Sequence, residues 1–224
     1  MKARWRHFQR HRALSRCPEM VRNWLLSWPD PDQPALLAPL LALDFETTGL
    51  DPARDAILSA GWVPMDQGVV LAGRGEHRLV RIEQSLPEET IKVHGITHQR
   101  MATGQTLEQL LTELFSALHG RLPLVHFARI EQRFLTAACR QVFGCAPPLP
   151  MVDTFELARR AQEMSGRPPS GNALRLDALR QAHGLPDRPP HHALEDALAT
   201  AELWLAMLKR RNDGTRLKLR EVLV

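Results

Sequence analysis

The chain has 224 residues, 44% of them hydrophobic, and a formal net charge of +4. That length fits one large domain or one domain with tails, and the apolar share can fill a core. No apolar run reaches a membrane span, and Cys17, Cys139 and Cys145, with no C-x-x-C pairing, argue against a disulfide framework or a zinc site and suit a reducing compartment.

The charge is uneven. Residues 1–40 and 209–224 each carry +4, which leaves −4 for the middle. Basic tails attract polyanions or are simply solvated, and composition alone leaves both open. Residues 1–29 are Arg-rich, hold Trp5, Trp24 and Trp28, and read as one or two helices. This start is poor in acids, like a transit peptide, but lacks the apolar stretch and cleavage site of a secretory signal. WPDPDQP, from Trp28 to Pro34, is rich in breakers and marks a boundary. The expected organisation is a basic helical extension and linker over 1–35, a domain over 36–211 and a basic tail over 212–224.

Strands are predicted over 40–46, 57–63 and 69–79, the last two joined by the turn-like PMDQG. Leu107, Leu110, Leu111, Leu114 and Leu118 have helical spacing. A short strand over 122–127 leads into a helix over 130–142, and a fifth strand over 150–153 into a helix over 154–164. A further helix stops at Gly184, and a long one follows Pro189–Pro190, over about 192–211. The pattern is α/β, with a mixed five-stranded sheet covered by helices.

Three stretches carry chemistry. In LALDFETTGL, Asp44 and Glu46 sit two apart at a strand end and so share a face. Two like charges there need a positive partner, and a hard divalent cation suits carboxylate oxygens. In VHFARIEQRFL, Glu131 falls on the first turn of a helix that follows a strand, at the sheet edge where α/β folds bind ligands; complementing the helix dipole is the plainer role. In HHALEDALATAELW, Asp196 begins the last helix and His191 precedes it, stiffened by two prolines. Asp153 reads as an N-cap rather than a ligand.

Together these stretches resemble the DnaQ-like (DEDDh) 3′–5′ exonuclease family, which includes the proofreading epsilon subunit of bacterial DNA polymerase III. Asp44 to Leu50 matches its D-x-E-T-T-G-L motif, and His191 to Asp196 its H-x-A-x-x-D motif. His126, Ala128 and Phe134 meet part of its H-N-A-x-F-D-x-x-F motif. There Glu131 stands for Asp, Phe127 for Asn and Ile130 for Phe. The resemblance covers about residues 39–208 and implies a ribonuclease H-like fold.

It implies two Mg²⁺ or Mn²⁺ ions about 4 Å apart, held by Asp44, Glu46, Glu131 and Asp196, with His191 as general base. Thr47, Thr48, Gly49, Leu50 and His94 are the implied substrate contacts, Leu50 as an apolar wedge between bases. The implied activity is 3′–5′ hydrolysis of single-stranded DNA ends to nucleoside 5′-monophosphates, of proofreading or repair type. RNA or short oligonucleotides are the alternative substrate, and an inactive nucleic-acid-binding or polymerase-interacting module the alternative role. The expected setting is cytoplasmic, with a DNA polymerase as a further partner and no membrane.

Overall fold

The computed structural model describes residues 15–82, 102–166, 171–189, 191–210 and 216–224. Helix α1 is Glu19–Leu26, followed by strands β1 Leu40–Thr47, β2 Ile57–Asp66, β3 Val69–Val70 and β4 Glu76–Leu79. Then come α2 Leu107–Ala117, β5 Leu122–Val125, α3 Arg129–Phe143, β6 Val152–Asp153, α4 Thr154–Met164, α5 Leu176–Ala182, α6 Ala193–Arg210 and α7 Leu219–Val222. None of the described helices is long and apolar enough to cross a membrane.

The sheet runs β3-β2-β1-β5-β6, with β4 also on β2. β1 is central, antiparallel to β2 and parallel to β5, and β6 is parallel to β5. The sheet is therefore mixed and flanked by helices, as the residue pattern predicts, with six strands among the described residues where five were expected. The run expected as one strand over 69–79 is two, split by a 3₁₀ turn at Ala72–Arg74. Pro64 explains where the first piece ends. The Leu71 N–H donates to the Pro64 carbonyl at 2.9 Å, but Pro64 has no N–H to return, so the ladder stops and the chain leaves the edge.

Local signals place the helices. Thr106 and Gln109 form a reciprocal capping box at the start of α2. α3 ends on Gly144 in the left-handed conformation, its N–H bonded to the Arg140 carbonyl. Buried Arg180 on α5 donates to the Ala199 and Pro186 carbonyls at 2.8 and 2.7 Å and pairs with Glu202 at 2.9 Å. Arg188 pairs with Glu195 and Glu202 of the same helix, at 2.6 Å each. The approach to α6 is thus fixed from both sides.

Two expectations change. Residues 15–35 and 216–224 do not stand apart from the domain: Val21, Trp24, Leu25, Leu219 and Val222 lie in the same core cluster as β1 and α6. The Trp24 indole N–H donates to the Arg121 carbonyl at 2.9 Å, and Ala35 N–H to the Leu217 carbonyl at 2.7 Å. Lys218 and Arg220 of the basic tail pair with Asp32. The expectation of three free thiols also gives way. Cys17 and Cys145 form a disulfide with Cα atoms 5.5 Å apart, and Cys139 is free and buried. A separation of 128 residues carries no spacing signal of a pair.

Gly61 sets how close α6 comes to the sheet. A Cβ there would lie 2.1 Å from the Leu194 nitrogen and 2.2 Å from the Ala193 carbonyl carbon. Backbone cannot yield as a side-chain tip can, so only glycine admits the helix. Gly61→Ala is expected to destabilise the fold by about 1–3 kcal/mol, read by calorimetry as a midpoint lowered by about 2–12 °C. An unchanged midpoint would mean that α6 does not rest on this residue.

Candidate active site

Asp44 and Glu46 leave the same face of β1, opposite Gly61 and Ser59 of β2. The ladder slips between Glu46 and Thr47, a bulge immediately beyond the two acids. Gly61 carries the first turn of α6, and that turn brings Asp196 onto the pair. Asp44, Glu46 and Asp196 each offer a carboxylate oxygen within 4.8 Å of the others. Donor oxygens on three carboxylates suit a hard divalent cation.

Glu131, on the first turn of α3, is buried, and its Oε2 has no hydrogen-bond partner. Its charge bears on Asp44, whose carboxyl is held well above the usual range. Burial is the main cause there, joined by the charges of Glu131, Asp196 and Glu46. Burial and the Asp196 charge lift Glu46 from 4.5 to about 7. Burial lifts Glu131 to about 8, a nearby backbone hydrogen bond opposing and the Asp153 charge assisting. Asp196 is raised by burial, with the His191 N–H acting against it. All four shift in the direction that cations nearby would reverse.

His191 is exposed, with φ of +65°. Its N–H donates to Asp196 Oδ2 at 3.0 Å, and it lines a cleft of about 500 Å³ together with Asp44 and Asp196. Arg175, Arg180 and Arg188 line the same cleft. Arg180 and Arg188 are committed to α6, whereas the Arg175 side chain is 67% exposed and 3.7 Å from Asp177.

The turn after β1 is tied to itself. Thr47 donates to the Gly49 carbonyl at 2.7 Å, and Thr48 to Asp55 at 3.1 Å. Gly49 lies so close to Asp55 that a Cβ would be 2.5 Å from its carboxylate. Leu50 points to solvent while Arg133 of α3 holds its carbonyl at 3.2 Å. His94 lies outside the described residues.

Two residues of the site make contacts that the sequence did not announce. Asp153 caps α4 through the Phe155 N–H, as expected, but it also accepts from the Phe127 and Ala128 N–H groups at 2.9 and 3.0 Å. It thereby fixes the turn that launches α3 and Glu131. His126 beside it bonds Thr154 Oγ1 at 2.8 Å and the Leu174 carbonyl at 3.0 Å. Burial lowers its pKa to about 4, so it is a neutral strut between β5 and α4.

The Exonuclease family profile (RNase T) matches residues 41–204. Among relatives, the DNA polymerase III PolC-type protein of Thermotoga petrophila is 29% identical over 185 residues, which are 83% of this chain and 13% of that protein. The DNA polymerase III subunit epsilon of Aquifex aeolicus is 24% identical over 169 residues, 75% of this chain and 80% of that one. The chain thus spans about an eighth of the PolC-type relatives and most of the epsilon subunit. The nuclease domain of 3′hExo, a DEDDh family member solved with rAMP, superposes with a TM-score of 0.67 at 18% identity, covering 81% of this chain and 96% of that one. Exonuclease X, solved with 5′ overhanging duplex DNA, gives 0.60 at 21% identity, with 82% and 98% covered. The structural likenesses agree with the mixed sheet flanked by helices, and the chain belongs to the Exonuclease family.

Proposed function

We propose that the chain is a divalent-metal-dependent 3′–5′ exonuclease that removes nucleoside 5′-monophosphates from single-stranded DNA ends. The observation that carries this reading is the convergence of Asp44, Glu46 and Asp196 within 4.8 Å, with the buried Oε2 of Glu131 unpartnered and His191 lining an open cleft with Asp44 and Asp196. DNA is preferred over RNA because the relatives named are DNA polymerase subunits. Those names also support a proofreading or repair role, a polymerase partner and a cytoplasmic setting. The Cys17–Cys145 disulfide is the feature that stands against that setting.

The donor set fits Mg²⁺ or Mn²⁺, two ions in this reading. Asp44, Glu46 and Asp196 would hold one, and Asp44 with Glu131 the other. Such ions supply charge neutralisation at the phosphate and activation of water. Glu131 is longer by a methylene than the Asp of the family motif, and its burial and the bearing of its charge on Asp44 support a ligand role for it. His191 takes a proton on an imidazole nitrogen from the attacking water, as the general base at the cleft. Its N–H bond to Asp196 orients the backbone that carries the ring. The water oxygen bonds to phosphorus, the 3′-oxygen leaves, and the terminal nucleotide departs as a 5′-monophosphate.

Metal fit is testable without activity. Glu46 and Glu131 bind protons more tightly folded than unfolded, so their contribution to stability is full below about pH 4.5 and is lost as pH rises through about 7 and 8. In chelator, the calorimetric midpoint should therefore fall as pH climbs through that window. Mg²⁺ or Mn²⁺ should raise it more at the alkaline end than at the acid end, and Glu131→Gln should blunt both effects. Equal metal shifts at both ends would remove these acids from the metal site.

Activity is read on a 5′-labelled single-stranded DNA oligonucleotide and its RNA twin, with Mg²⁺, Mn²⁺ or EDTA. A ladder shortening from the 3′ end is expected with metal, faster on DNA. Asp44→Ala and Glu131→Ala should each lower the rate by at least about a hundredfold. A folded wild-type chain that leaves both strands intact with both metals would reduce the protein to a nucleic-acid-binding or polymerase-interacting module.

A further inference from the structure

Phe127 lies two residues beyond β5 with φ of +74°. A bulky aromatic residue is strained in the left-handed region, and such strain persists only where the surroundings over-determine it. Here one carboxylate does so. Asp153 Oδ1 accepts from the N–H groups of both Phe127 and Phe155 at 2.9 Å, and its Oδ2 from Ala128 at 3.0 Å. The same staple sets the two rings edge to face, with centroids 4.9 Å apart and planes at 69°. The His126 ring meets Phe155 at 5.9 Å. Braced in this way, Phe127 still keeps 37% of its surface in solvent.

Position gives that exposure a meaning. β5 runs parallel to β1, with Leu40 opposite Leu122 and Ala42 opposite Leu124. Carried on by two residues, this register sets His126 level with Asp44, and both line the cleft that holds His191 and Asp196. Phe127 is the next residue, in the short turn that joins β5 to α3 and so leads directly into Glu131. Leu50, 69% exposed, stands at the same sheet edge beyond Glu46. An exposed, rigidly braced ring beside a phosphodiester site matches the face of a nucleobase, and stacking on an aromatic side chain is available to every base.

We propose that Phe127 is a stacking platform for a base of the bound single strand, adjacent to the scissile phosphodiester. This rests on reading the sheet edge as the nucleic-acid site. The contact uses the π-face of the base and no 2′-hydroxyl, so it adds affinity without choosing sequence or sugar. Covering Phe155 is the competing role for the ring.

The test compares Phe127→Asn and Phe127→Trp with wild type in the full chain. Asparagine tolerates the left-handed backbone and lacks the ring, so Phe127→Asn is expected to melt no lower than wild type. Binding of a 5′-fluorescein oligothymidylate is measured by anisotropy in EDTA, and KM and kcat are measured with Mn²⁺. Phe127→Asn should weaken binding and raise KM by about tenfold, with kcat within about twofold, whereas Phe127→Trp should stay within about twofold of wild type in all three. An abasic residue at the second position from the 3′ end should weaken wild type far more than Phe127→Asn. If Phe127→Asn binds within about twofold of wild type, the ring is a cover for Phe155 and the proposal fails. If wild type binds but never shortens the strand, the hydrolase reading fails and the binding data still decide Phe127. If wild type does not bind the strand, both fail.

Discussion

Carboxylates that share a poorly solvated space repel one another, and this chain gathers four of them at one end of its central strand and the elements beside it. Asp44, Glu46 and Asp196 converge within 4.8 Å, and Glu131 is buried alongside. The His191 N–H bonds Asp196, but Arg180 and Arg188, which line the same cleft, are engaged with α6, and all four carboxyls stay raised above their usual range. The surrounding architecture supplies the restraint. β1 is paired on both sides, α6 is pressed onto Gly61, and α3 starts from a turn that cannot swing away. An arrangement so unfavourable without counter-charge is organised for one, and divalent cations with a phosphodiester complete it.

Asp153 and Glu131 show how similar groups are sorted by their neighbours. Both are buried acids near the carboxyl end of the sheet. Asp153 accepts from three backbone N–H groups at 2.9 to 3.0 Å, and a carboxylate satisfied in that way has little capacity left for a ligand. Glu131 keeps an oxygen with no partner. Hydrogen-bond saturation separates the structural acid from the available one, although their burial is similar.

Period and punctuation made much of this legible. D-x-E on a strand places two acids on one face, and the structure brings them together. The helices over α2, α3, α4 and α6 follow from apolar spacing, a capping box and glycine stops. The N-cap role of Asp153 was also readable. What escaped depends on partners distant in sequence. Nothing near Phe127 announces a positive φ, because Asp153 imposes it from another strand. Gly61 looks like any strand glycine until α6 arrives above it. The split between β3 and β4 turns on the missing donor of Pro64, which matters only once pairing is known. Composition left the basic charge near the C-terminal end open between attracting a polyanion and plain solvation, whereas Lys218 and Arg220 pair with Asp32.

The contact between Gly61 and the first turn of α6 also fixes an order of events. Asp44 and Asp196 are separated by more than half the chain, and the second acid reaches the first only when the last long helix settles on β2. A ribosome delivers the β1 acids early and Asp196 late, so a nascent or C-terminally clipped chain holds Asp44 and Glu46 without Asp196. Assembly of the acidic cluster is thereby coupled to completion of the fold.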